Sequence, residues 1–286
     1  MNLRDGVSGD ILLNMKASKE YILAALAAAD HTPNRALGQN FCIDGARLSS
    51  CVMRLGLNGE PVVEIGPGFG ALTEILLPLT GKLTAIEKDA NMAEHLKDAF
   101  QSEKVSVITG DALRFRFEEQ EKPFSVVGNL PYYITTEISE KVLLSQPEVF
   151  GCMVQKEAAD RFFAKPGKDH YGALSIITDL YYEPELLDTF PEESFYPAPN
   201  VQSVFLAIRR KEESPDVPIR KMFAFARTCL GMRRKTLRNN LKGVQSGLDA
   251  LRLAGIDAEL RAETLSPDQF LLLYRALEEL QQKQMN

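Results

Sequence analysis

The sequence predicts an α/β protein with a parallel sheet and helices on both faces, followed by a small all-helical domain. In the middle of the chain, short β-rich runs alternate with segments of helix-spaced apolar residues, which is typical of parallel strands joined by crossover helices. Beyond Pro218 the β-rich runs end and only helical periodicity remains. The length of 286 residues fits two domains, at roughly 150 residues for each.

The elements are predicted in the following order. A serine cap and an alanine- and leucine-rich body predict a helix over Ser18–Ala29, and a second, amphipathic helix is expected over Gly45–Leu55. Four β-rich runs follow, namely Val62–Ile65, Leu83–Ile86, Val105–Ile108 and Phe124–Val127. Helices are predicted between the first three at Ala71–Leu77 and Asn91–Phe100, and later strands at Gly151–Val154, Leu186–Phe190 and Val204–Ile208.

Three segments follow from this pattern. Proline-bearing stretches at residues 197–199 and 214–218 interrupt the last strands, and they place the main boundary at about residues 210–217. We expect an N-terminal helical extension over residues 1–34, an α/β domain over 35–212 and a helical domain over 213–286.

Composition excludes several classes of protein. The longest apolar run, Ile22–Ala29, is stopped by Asp30 and is far shorter than the ~18 residues of a membrane span. The N-terminus carries Asp5 and Asp10 instead of a secretory leader, which favours a cytoplasmic location. The four cysteines are far apart and only three histidines are present, so we expect neither a disulfide framework nor a metal site.

Charge is distributed unevenly along the chain. The formal net charge is −6, yet residues 211–286 hold 13 basic and 10 acidic side chains, whereas residues 1–210 hold 20 and 29. The segment 220–242 carries eight Lys or Arg residues and no Asp or Glu, which concentrates positive potential. Such a run is usually a solvated helix face, and it indicates a polyanion site only if the rest of the chain points to one.

A glycine-rich turn and two acidic residues follow successive strands. The run Val62–Ile65 leads directly into Gly66-Pro67-Gly68-Phe69-Gly70, where glycines allow the backbone to approach a ligand closely. Glu87 ends the second strand at the spacing that suits the hydroxyls of an adenosine ribose, and Asp111, after the third, suits an adenine amino group. Together they predict an adenosyl-ligand site.

Two adenosyl cofactors compete for this site, a dinucleotide and S-adenosylmethionine. The loop is G-x-G-x-G and not the G-x-G-x-x-G of dinucleotide-binding folds, and Glu64 precedes it in the strand. A pyrophosphate disfavours nearby acid, whereas a sulfonium and an ammonium tolerate it. The loop therefore favours S-adenosylmethionine.

The tetrapeptide Asn129-Leu130-Pro131-Tyr132 follows the fourth strand, beside the expected methyl donor. An exocyclic adenine amine is a poor nucleophile because its lone pair is delocalised into the ring. The Asn129 side-chain oxygen and the Leu130 carbonyl would accept its two hydrogens, and Tyr132 offers a stacking face. A turn with a buried tyrosine is the alternative interpretation.

A second aromatic candidate is Phe195, which precedes a proline-stiffened loop. An enzyme that modifies a base must take it out of its stack, and Phe195 would cover one face of that base. A core position is the competing interpretation for this phenylalanine.

These motifs resemble those of the small-subunit ribosomal RNA adenine dimethyltransferases, which are class I S-adenosylmethionine-dependent enzymes. The resemblance covers about residues 35–241. The matching segments are Leu37–Phe41, Glu64–Gly68, Asn129–Tyr132, Met153–Glu157, Tyr171-Gly172, Phe195–Ser203 and Arg233–Asn240.

The resemblance implies a Rossmann-like catalytic domain with a mostly parallel seven-stranded sheet over residues 35–212, and a helical RNA-binding domain over 213–286. It implies dimethylation of the N6 amines of two adjacent adenosines in the 3′-terminal hairpin of small-subunit (16S) rRNA, in ribosome biogenesis. The expected partner is this rRNA or the assembling small subunit, and the expected form is a monomer.

The resemblance also assigns residues by motif position. The cofactor-binding residues are expected to be Gln39, Asn40, Cys42, Glu64, Gly66, Gly68, Glu87, Asp111 and Asn129. The catalytic residues are expected to be Asn129, Leu130, Tyr132 and Phe195, of which Phe195 would stack on the target base. The RNA-binding residues are expected to be Arg227, Arg233, Arg234, Lys235 and Arg238.

Three alternatives remain. A methyltransferase of the macrolide-resistance type would use the same chemistry on a large-subunit adenine, but Leu130 and the Arg233–Asn240 segment favour the small-subunit assignment. A non-catalytic ribosome-assembly or transcription factor on this fold is disfavoured by the presence of Glu87, Asp111 and Asn129. A nicotinamide dehydrogenase is a remote third, which dinucleotide titration would reveal.

Overall fold

The structure is a computed structural model that describes residues 16–34 and 38–285. The first 15 residues of the predicted N-terminal extension and residues 35–37, where the predicted α/β domain begins, lie outside the described residues.

Nine strands are found among the described residues. They are β1 (Phe41–Cys42), β2 (Val62–Ile65), β3 (Leu83–Glu87), β4 (Val105–Thr109), β5 (Ser125–Asn129), β6 (Val149–Gln155), β7 (Tyr182–Phe190), β8 (Phe195–Tyr196) and β9 (Ser203–Arg210). Seven of them form one sheet in the order β4-β3-β2-β5-β6-β9-β7, and β1 pairs with β8 in a separate antiparallel ribbon. The strands β2 to β6 run parallel to one another, and β9 runs antiparallel to β6, so the sheet is mostly parallel.

The α-helices precede, separate and follow these strands. They are α1 (Lys19–Ala28), α2 (Gly45–Arg54), α3 (Ala71–Leu76), α4 (Ala90–Ala99), α5 (Thr135–Leu143), α6 (Lys156–Phe163), α7 (Ala173–Tyr181), α8 (Ile219–Leu230), α9 (Leu237–Leu241), α10 (Gly247–Leu253) and α11 (Pro267–Met285). None of the described helices is both long and apolar enough to cross a membrane.

Local chemistry explains where the elements begin. Ser18 caps α1 by accepting a hydrogen bond from the Tyr21 amide at 3.2 Å, and Asp44 and Asp89 cap α2 and α4 in the same way. The central strands are apolar along nearly their whole length because helices cover both faces of the sheet, and every residue of β2 and β3 is buried.

The strand β7 is longer than its predicted range. It begins at Tyr182, four residues before the predicted Leu186, and it includes Pro184 and several exposed residues. Because β7 lies at the edge of the sheet, it needs neither an apolar pattern nor a full set of ladder hydrogen bonds. The hydrophobic pattern of the sequence therefore predicts only the C-terminal part of this strand, Leu186–Phe190.

The chain divides into two compact units. The first holds the described residues up to Ala158 together with Glu185–Arg209, and the second holds Ala159–Pro184 and Arg210–Asn286. The predicted division at residue 212 lies close to the last of these junctions, between Arg209 and Arg210. Residues 159–184, which the sequence pattern assigns to the α/β domain, instead cluster with the C-terminal helices, because α7 packs against α8 and α11.

Candidate functional site

A cleft lies at the carboxyl ends of the parallel strands β2 to β5, which is where ligands bind in open α/β sheets. We call it the main cleft. Eight of the nine predicted cofactor-binding residues line it, namely Gln39, Asn40, Cys42, Gly66, Gly68, Glu87, Asp111 and Asn129. The ninth, Glu64, does not reach its surface.

The glycine turn forms one wall of the main cleft. Gly66 and Gly68 have φ of 66° and 58°, which L side chains rarely adopt. A Cβ on Gly68 would lie 3.1 Å from the Phe41 ring, and one on Gly66 would lie 3.4 Å from the Asn129 carbonyl oxygen. Glycine at these two positions therefore permits both the turn and the approach of β1 and β5.

Glu87 presents a fixed carboxylate to the main cleft. One oxygen accepts a hydrogen bond from the Gly68 amide at 3.0 Å, and the other accepts from the Asp89 amide at 2.9 Å. Burial raises the pKa of Glu87, although these two hydrogen bonds oppose the shift. Each carboxylate oxygen has a second lone pair, so the group can still accept hydrogen bonds from a ribose.

Asp111 follows β4 and is also held in place. It accepts a hydrogen bond from the Leu113 amide at 2.9 Å and forms an ion pair with the Lys88 ammonium at 3.1 Å. Burial opposes ionisation of Asp111, but these hydrogen bonds and the positive charges of Lys88 and Arg114 lower its pKa overall. An ionised acceptor thus lies at this end of the main cleft.

Glu64 is fully buried behind the glycine turn. The Thr73 hydroxyl donates to its Oε2 at 2.7 Å, and its Oε1 has no hydrogen-bond partner among the described residues. A buried polar atom without a partner is costly, so it indicates a missing group such as a water or a ligand donor. Burial raises the pKa of Glu64 from 4.5 to about 8, with a small contribution from the charge of Glu87.

This shift predicts how stability depends on pH. A carboxyl group whose pKa is higher in the folded state contributes its full stability below pH 4.5 and loses it as the pH rises towards 8. Between these limits, Glu64 makes the free energy of unfolding fall by up to about 1.4 kcal/mol per pH unit. We expect Glu64→Gln to remove this contribution, so that its free energy of unfolding falls less steeply with pH. Urea unfolding at several pH values measures the slope.

The control is Glu94→Gln, an exposed residue on α4, which should leave the slope unchanged. Because the pKa of Glu87 is also raised, part of the pH dependence should remain in Glu64→Gln. An unchanged slope in Glu64→Gln would contradict a neutral buried carboxyl group at this position.

The segment before α2 forms the opposite wall. The Gln39 amide oxygen accepts hydrogen bonds from the Asn34 amide at 2.7 Å and from His31 at 3.0 Å, with the histidine as donor in that tautomer. Gln39 therefore fixes the backbone of this wall. The Cys42 thiol is buried, which raises its pKa to about 12, so it is not a reactive group.

The N-terminal helix contributes a wall that the sequence interpretation did not assign to the site. Ile22 of α1 lines the main cleft and packs in a cluster with Phe41, Phe69 and Met92. The apolar periodicity of α1 predicts one buried face, but it does not identify what that face covers. Only the tertiary structure brings this helix next to the glycine turn.

Asn129 ends β5 at the centre of the main cleft. Its Nδ2 donates to the Asn40 carbonyl oxygen at 3.0 Å, which fixes the orientation of the amide and leaves Oδ1 as its acceptor atom. Leu130 is buried and is not among the residues that line this cleft; its amide donates to the Met153 carbonyl at 3.0 Å, which anchors the backbone to β6.

A second cavity, which we call the side cavity, adjoins the main cleft. The two share Gly38, Asn40 and Tyr133. The side cavity is also lined by Tyr132, Gln155 and residues 198–201. The Tyr132 hydroxyl is hydrogen-bonded to the buried Ser203 hydroxyl at 2.9 Å, and burial raises the pKa of Tyr132.

Phe195 lines neither cavity in this structure, and its stacking on a base remains a prediction. Its side chain is only 3% exposed and packs against Phe190, with ring centroids 6.2 Å apart. Pairing of β8 with β1 places Phe195 opposite Cys42 and holds it in the core. The aromatic residues that do line the side cavity are Tyr132 and Tyr133.

The predicted RNA-binding residues lie on the second unit and are exposed. They are Arg227, Arg233, Arg234, Lys235 and Arg238. The Arg233 guanidinium donates to the Tyr171 carbonyl at 3.0 Å, and that of Arg238 pairs with Glu259 at 2.6 Å. Within residues 16–34 and 38–285, the side chains of Arg234 and Lys235 show no ion pair or hydrogen bond.

The residues of the main cleft fit S-adenosylmethionine. The carboxylates of Glu87 and Asp111 line the cleft and suit an adenosine, and the glycine turn presents its backbone to the same space. These acidic groups disfavour the pyrophosphate of a dinucleotide, whereas a sulfonium and an ammonium tolerate them. Among the described residues, no group of three or more His, Cys, Asp or Glu is arranged to hold a metal ion.

Comparison with known proteins gives consistent matches. A family profile described as "Ribosomal RNA adenine dimethylase" matches residues 30–279. Two relatives are named "Ribosomal RNA small subunit methyltransferase A". The one from Acidobacterium capsulatum is 38% identical over 89% of this chain and 94% of its own length. The one from Nitrosospira multiformis is 39% identical over 85% of this chain and 95% of its own length. The crystal structure of a dimethyladenosine transferase from Plasmodium falciparum is similar with a TM-score of 0.70 at 25% identity, over 82% of this chain and 96% of that one.

Proposed function

This chain belongs to the ribosomal RNA adenine dimethylase family and is an S-adenosylmethionine-dependent adenine dimethyltransferase of small-subunit rRNA, and we propose that the main cleft and the side cavity together form its active site. The observation that carries this proposal is the position of Asn129. Its oriented amide lies in the same cleft as the adenosyl-binding carboxylates Glu87 and Asp111 and next to the aromatic side cavity.

Under this proposal, the main cleft holds the methyl donor. When bound, S-adenosylmethionine supplies an activated methyl group on a sulfonium. Glu87 accepts hydrogen bonds from the ribose hydroxyls, because the Gly68 and Asp89 amides hold its carboxylate towards the cleft. Asp111, ionised and held by Lys88, accepts from the adenine amino group of the cofactor.

Asn129 and Leu130 act on the target amine. The Asn129 Oδ1 and the Leu130 carbonyl accept its two hydrogens, which keeps the nitrogen lone pair available for attack. Positive charge develops on this nitrogen as the methyl group arrives, and fixed acceptors stabilise that charge without having to reorganise. The hydrogen bond from Asn129 to the Asn40 carbonyl is what fixes the acceptor on Asn129.

The side cavity holds the flipped target base. Tyr132 and Tyr133 supply its aromatic surface, and base–aromatic stacking contributes about 1–3 kcal/mol per base, which offsets the cost of taking the base from its helix. Ser203 fixes the Tyr132 ring through the hydrogen bond between their hydroxyls. Tyr133 is 51% exposed, so it can meet a base that arrives from solvent.

Methyl mapping tests this function. The protein is incubated with labelled S-adenosylmethionine and under-methylated small or large ribosomal subunits, and the labelled nucleotides are mapped. We expect label on N6 of two adjacent adenosines in the 3′-terminal hairpin of small-subunit rRNA. Label confined to large-subunit adenine would support the macrolide-resistance type instead, and no label on either subunit would support a non-catalytic factor.

The basic segment of the second unit is proposed to bind the rRNA backbone. Arg234 and Lys235 are exposed without side-chain partners among the described residues, so both can contact phosphates. We expect the double variant Arg234→Ala/Lys235→Ala to lower rRNA affinity and to reduce the salt dependence by roughly one to two units in log–log slope. Filter binding at several salt concentrations measures both quantities, and cofactor affinity should not change.

The matched control is Arg252→Ala/Lys283→Ala, which removes the same charge from exposed residues of the same unit. These two side chains are already engaged in helical ion pairs with Asp249 and Glu279. Equal losses in the two double variants would mean that only net charge matters, and this result would remove the basic segment from the RNA footprint.

Three finer points belong to the same proposal. Residues 213–286 serve as the RNA-binding domain, and Ile22 of the N-terminal extension completes the cofactor wall. The substrate is the assembling small subunit in the cytoplasm, where rRNA is available before the subunit is complete. We also expect the enzyme to act as a monomer.

A further inference from the structure

Gln155 is a polar residue of the side cavity to which the reaction described above gives no role. It is the last residue of β6, it is partly exposed, and it lines the side cavity. Among the described residues, its side-chain amide has no hydrogen-bond partner. A side-chain amide without a protein partner, in a cavity lined largely by apolar and aromatic residues, is available to bind a polar ligand group.

The sheet fixes Gln155 close to the residues that hold the target. In the antiparallel pairing of β6 with β9, Gln155 lies opposite Ser203. Ser203 holds the Tyr132 hydroxyl at 2.9 Å, and the neighbouring Lys156 amide donates to the Gln202 carbonyl at 3.1 Å. Gln155 therefore sits on the rigid end of the sheet, on the same wall as the stacking tyrosine.

We propose that Gln155 is a specificity-determining residue, which reads the extruded base as adenine by donating its side-chain N–H to a ring nitrogen. This inference rests on the proposed function. Once the Asn129 and Leu130 oxygens take the N6 hydrogens, the groups left on adenine are ring-nitrogen acceptors. A glutamine amide is a suitable donor for them, as in other recognition of adenine by Asn and Gln.

The proposal separates two kinds of recognition. Asn129 reads the exocyclic amine, and it rejects guanine because O6 would face another acceptor. Gln155 reads the ring, so its loss should weaken productive placement of adenine without changing the methyl donor site. It is absent from the lining of the main cleft, which predicts unchanged cofactor affinity.

Atomic substitution in the RNA tests this inference. Small subunits are assembled with rRNA in which the target adenosines carry 1-deazaadenosine or 7-deazaadenosine, each of which keeps the N6 amine but loses one ring acceptor. Methyl transfer is measured for the wild-type protein, Gln155→Leu and Gln155→Glu. The glutamate variant keeps the side-chain size but has no N–H donor when it is ionised.

We expect both variants to lose about tenfold in kcat/KM on normal subunits, with unchanged affinity for S-adenosylmethionine. One of the two deaza analogues should lower kcat/KM of the wild-type protein by about tenfold and cause no further loss in Gln155→Leu. Gln101→Leu, an exposed glutamine before β4, is the matched control and should behave like the wild-type protein.

Two results would overturn the inference. One is a normal kcat/KM for Gln155→Leu and Gln155→Glu. The other is an analogue effect of the same size in the wild-type protein and in Gln155→Leu, which would give Gln155 a structural role only. Failure of the proposed function is distinguishable from both, because the wild-type protein would then transfer no methyl group to unmodified small subunits.

Discussion

Asn129→Ala is expected to lower the rate of methyl transfer by about 10²–10³-fold, the range found when one preorganised polar group is removed from an active site. The variant loses the Oδ1 acceptor for the target amine and also the donor to the Asn40 carbonyl. Single-turnover methylation of under-methylated small subunits at saturating cofactor measures the chemical step. Thermal unfolding should show that the fold is intact, because Asn129 is only partly buried.

The control for this prediction is Asn58→Ala, which removes the same side chain from an exposed loop before β2 and should leave the rate unchanged. Cofactor affinity is measured separately by calorimetry, because Asn129 also lines the main cleft. Transfer at nearly the wild-type rate by Asn129→Ala would reject the proposed arrangement of acceptors around the amine.

Glu87→Ala is expected to weaken cofactor binding by about 100-fold or more. The carboxylate is proposed to accept both ribose hydroxyls, and hydrogen bonds to a charged group contribute roughly 1.5–3 kcal/mol each. The change also leaves the Gly68 and Asp89 amides without their acceptor, so the glycine turn loses its support. Isothermal titration with the demethylated product, S-adenosylhomocysteine, measures the affinity.

A modified ligand separates the two effects of Glu87→Ala. The wild-type protein should bind the 2′-deoxy form of the product more weakly than the normal form, whereas Glu87→Ala should bind the two forms equally. Glu103→Ala, an exposed glutamate before β4, is the control and should bind both forms like the wild-type protein. Unchanged affinity in Glu87→Ala would show that the ribose is held elsewhere.

The parallel arrangement of the central strands and the position of the main cleft were predictable from local patterns. Continuous apolar runs predicted the central strands, and the structure confirms β2 over Val62–Ile65. Because parallel strands present their carboxyl ends at one edge, residues that end or closely follow β2, β3, β4 and β5 meet there. For this reason Gly66, Glu87, Asp111 and Asn129 were correctly expected to lie together.

Residues whose surroundings depend on distant elements were not predictable in the same way. Phe195 could stack on a base or fill the core, and in this structure the pairing of β8 with β1 places it in the core. The local sequence of residues 159–184 does not indicate which of the two units they belong to. They belong to the second unit because α7 packs against α8 and α11. The edge strand β7 begins earlier than predicted because an edge tolerates polar residues.

The sequence by itself determined the alternation of strands and helices, the cofactor class, and the presence of Asn129 at the end of β5. These features depend on short-range patterns and on strand direction, which neighbouring residues encode. Only the tertiary structure decided that Ile22 closes the main cleft, that Tyr133 and Gln155 line the side cavity, and that Phe195 is buried. The reason is physical: burial and exposure of a side chain are set by elements far away in the chain, which close-packed contacts bring together on folding.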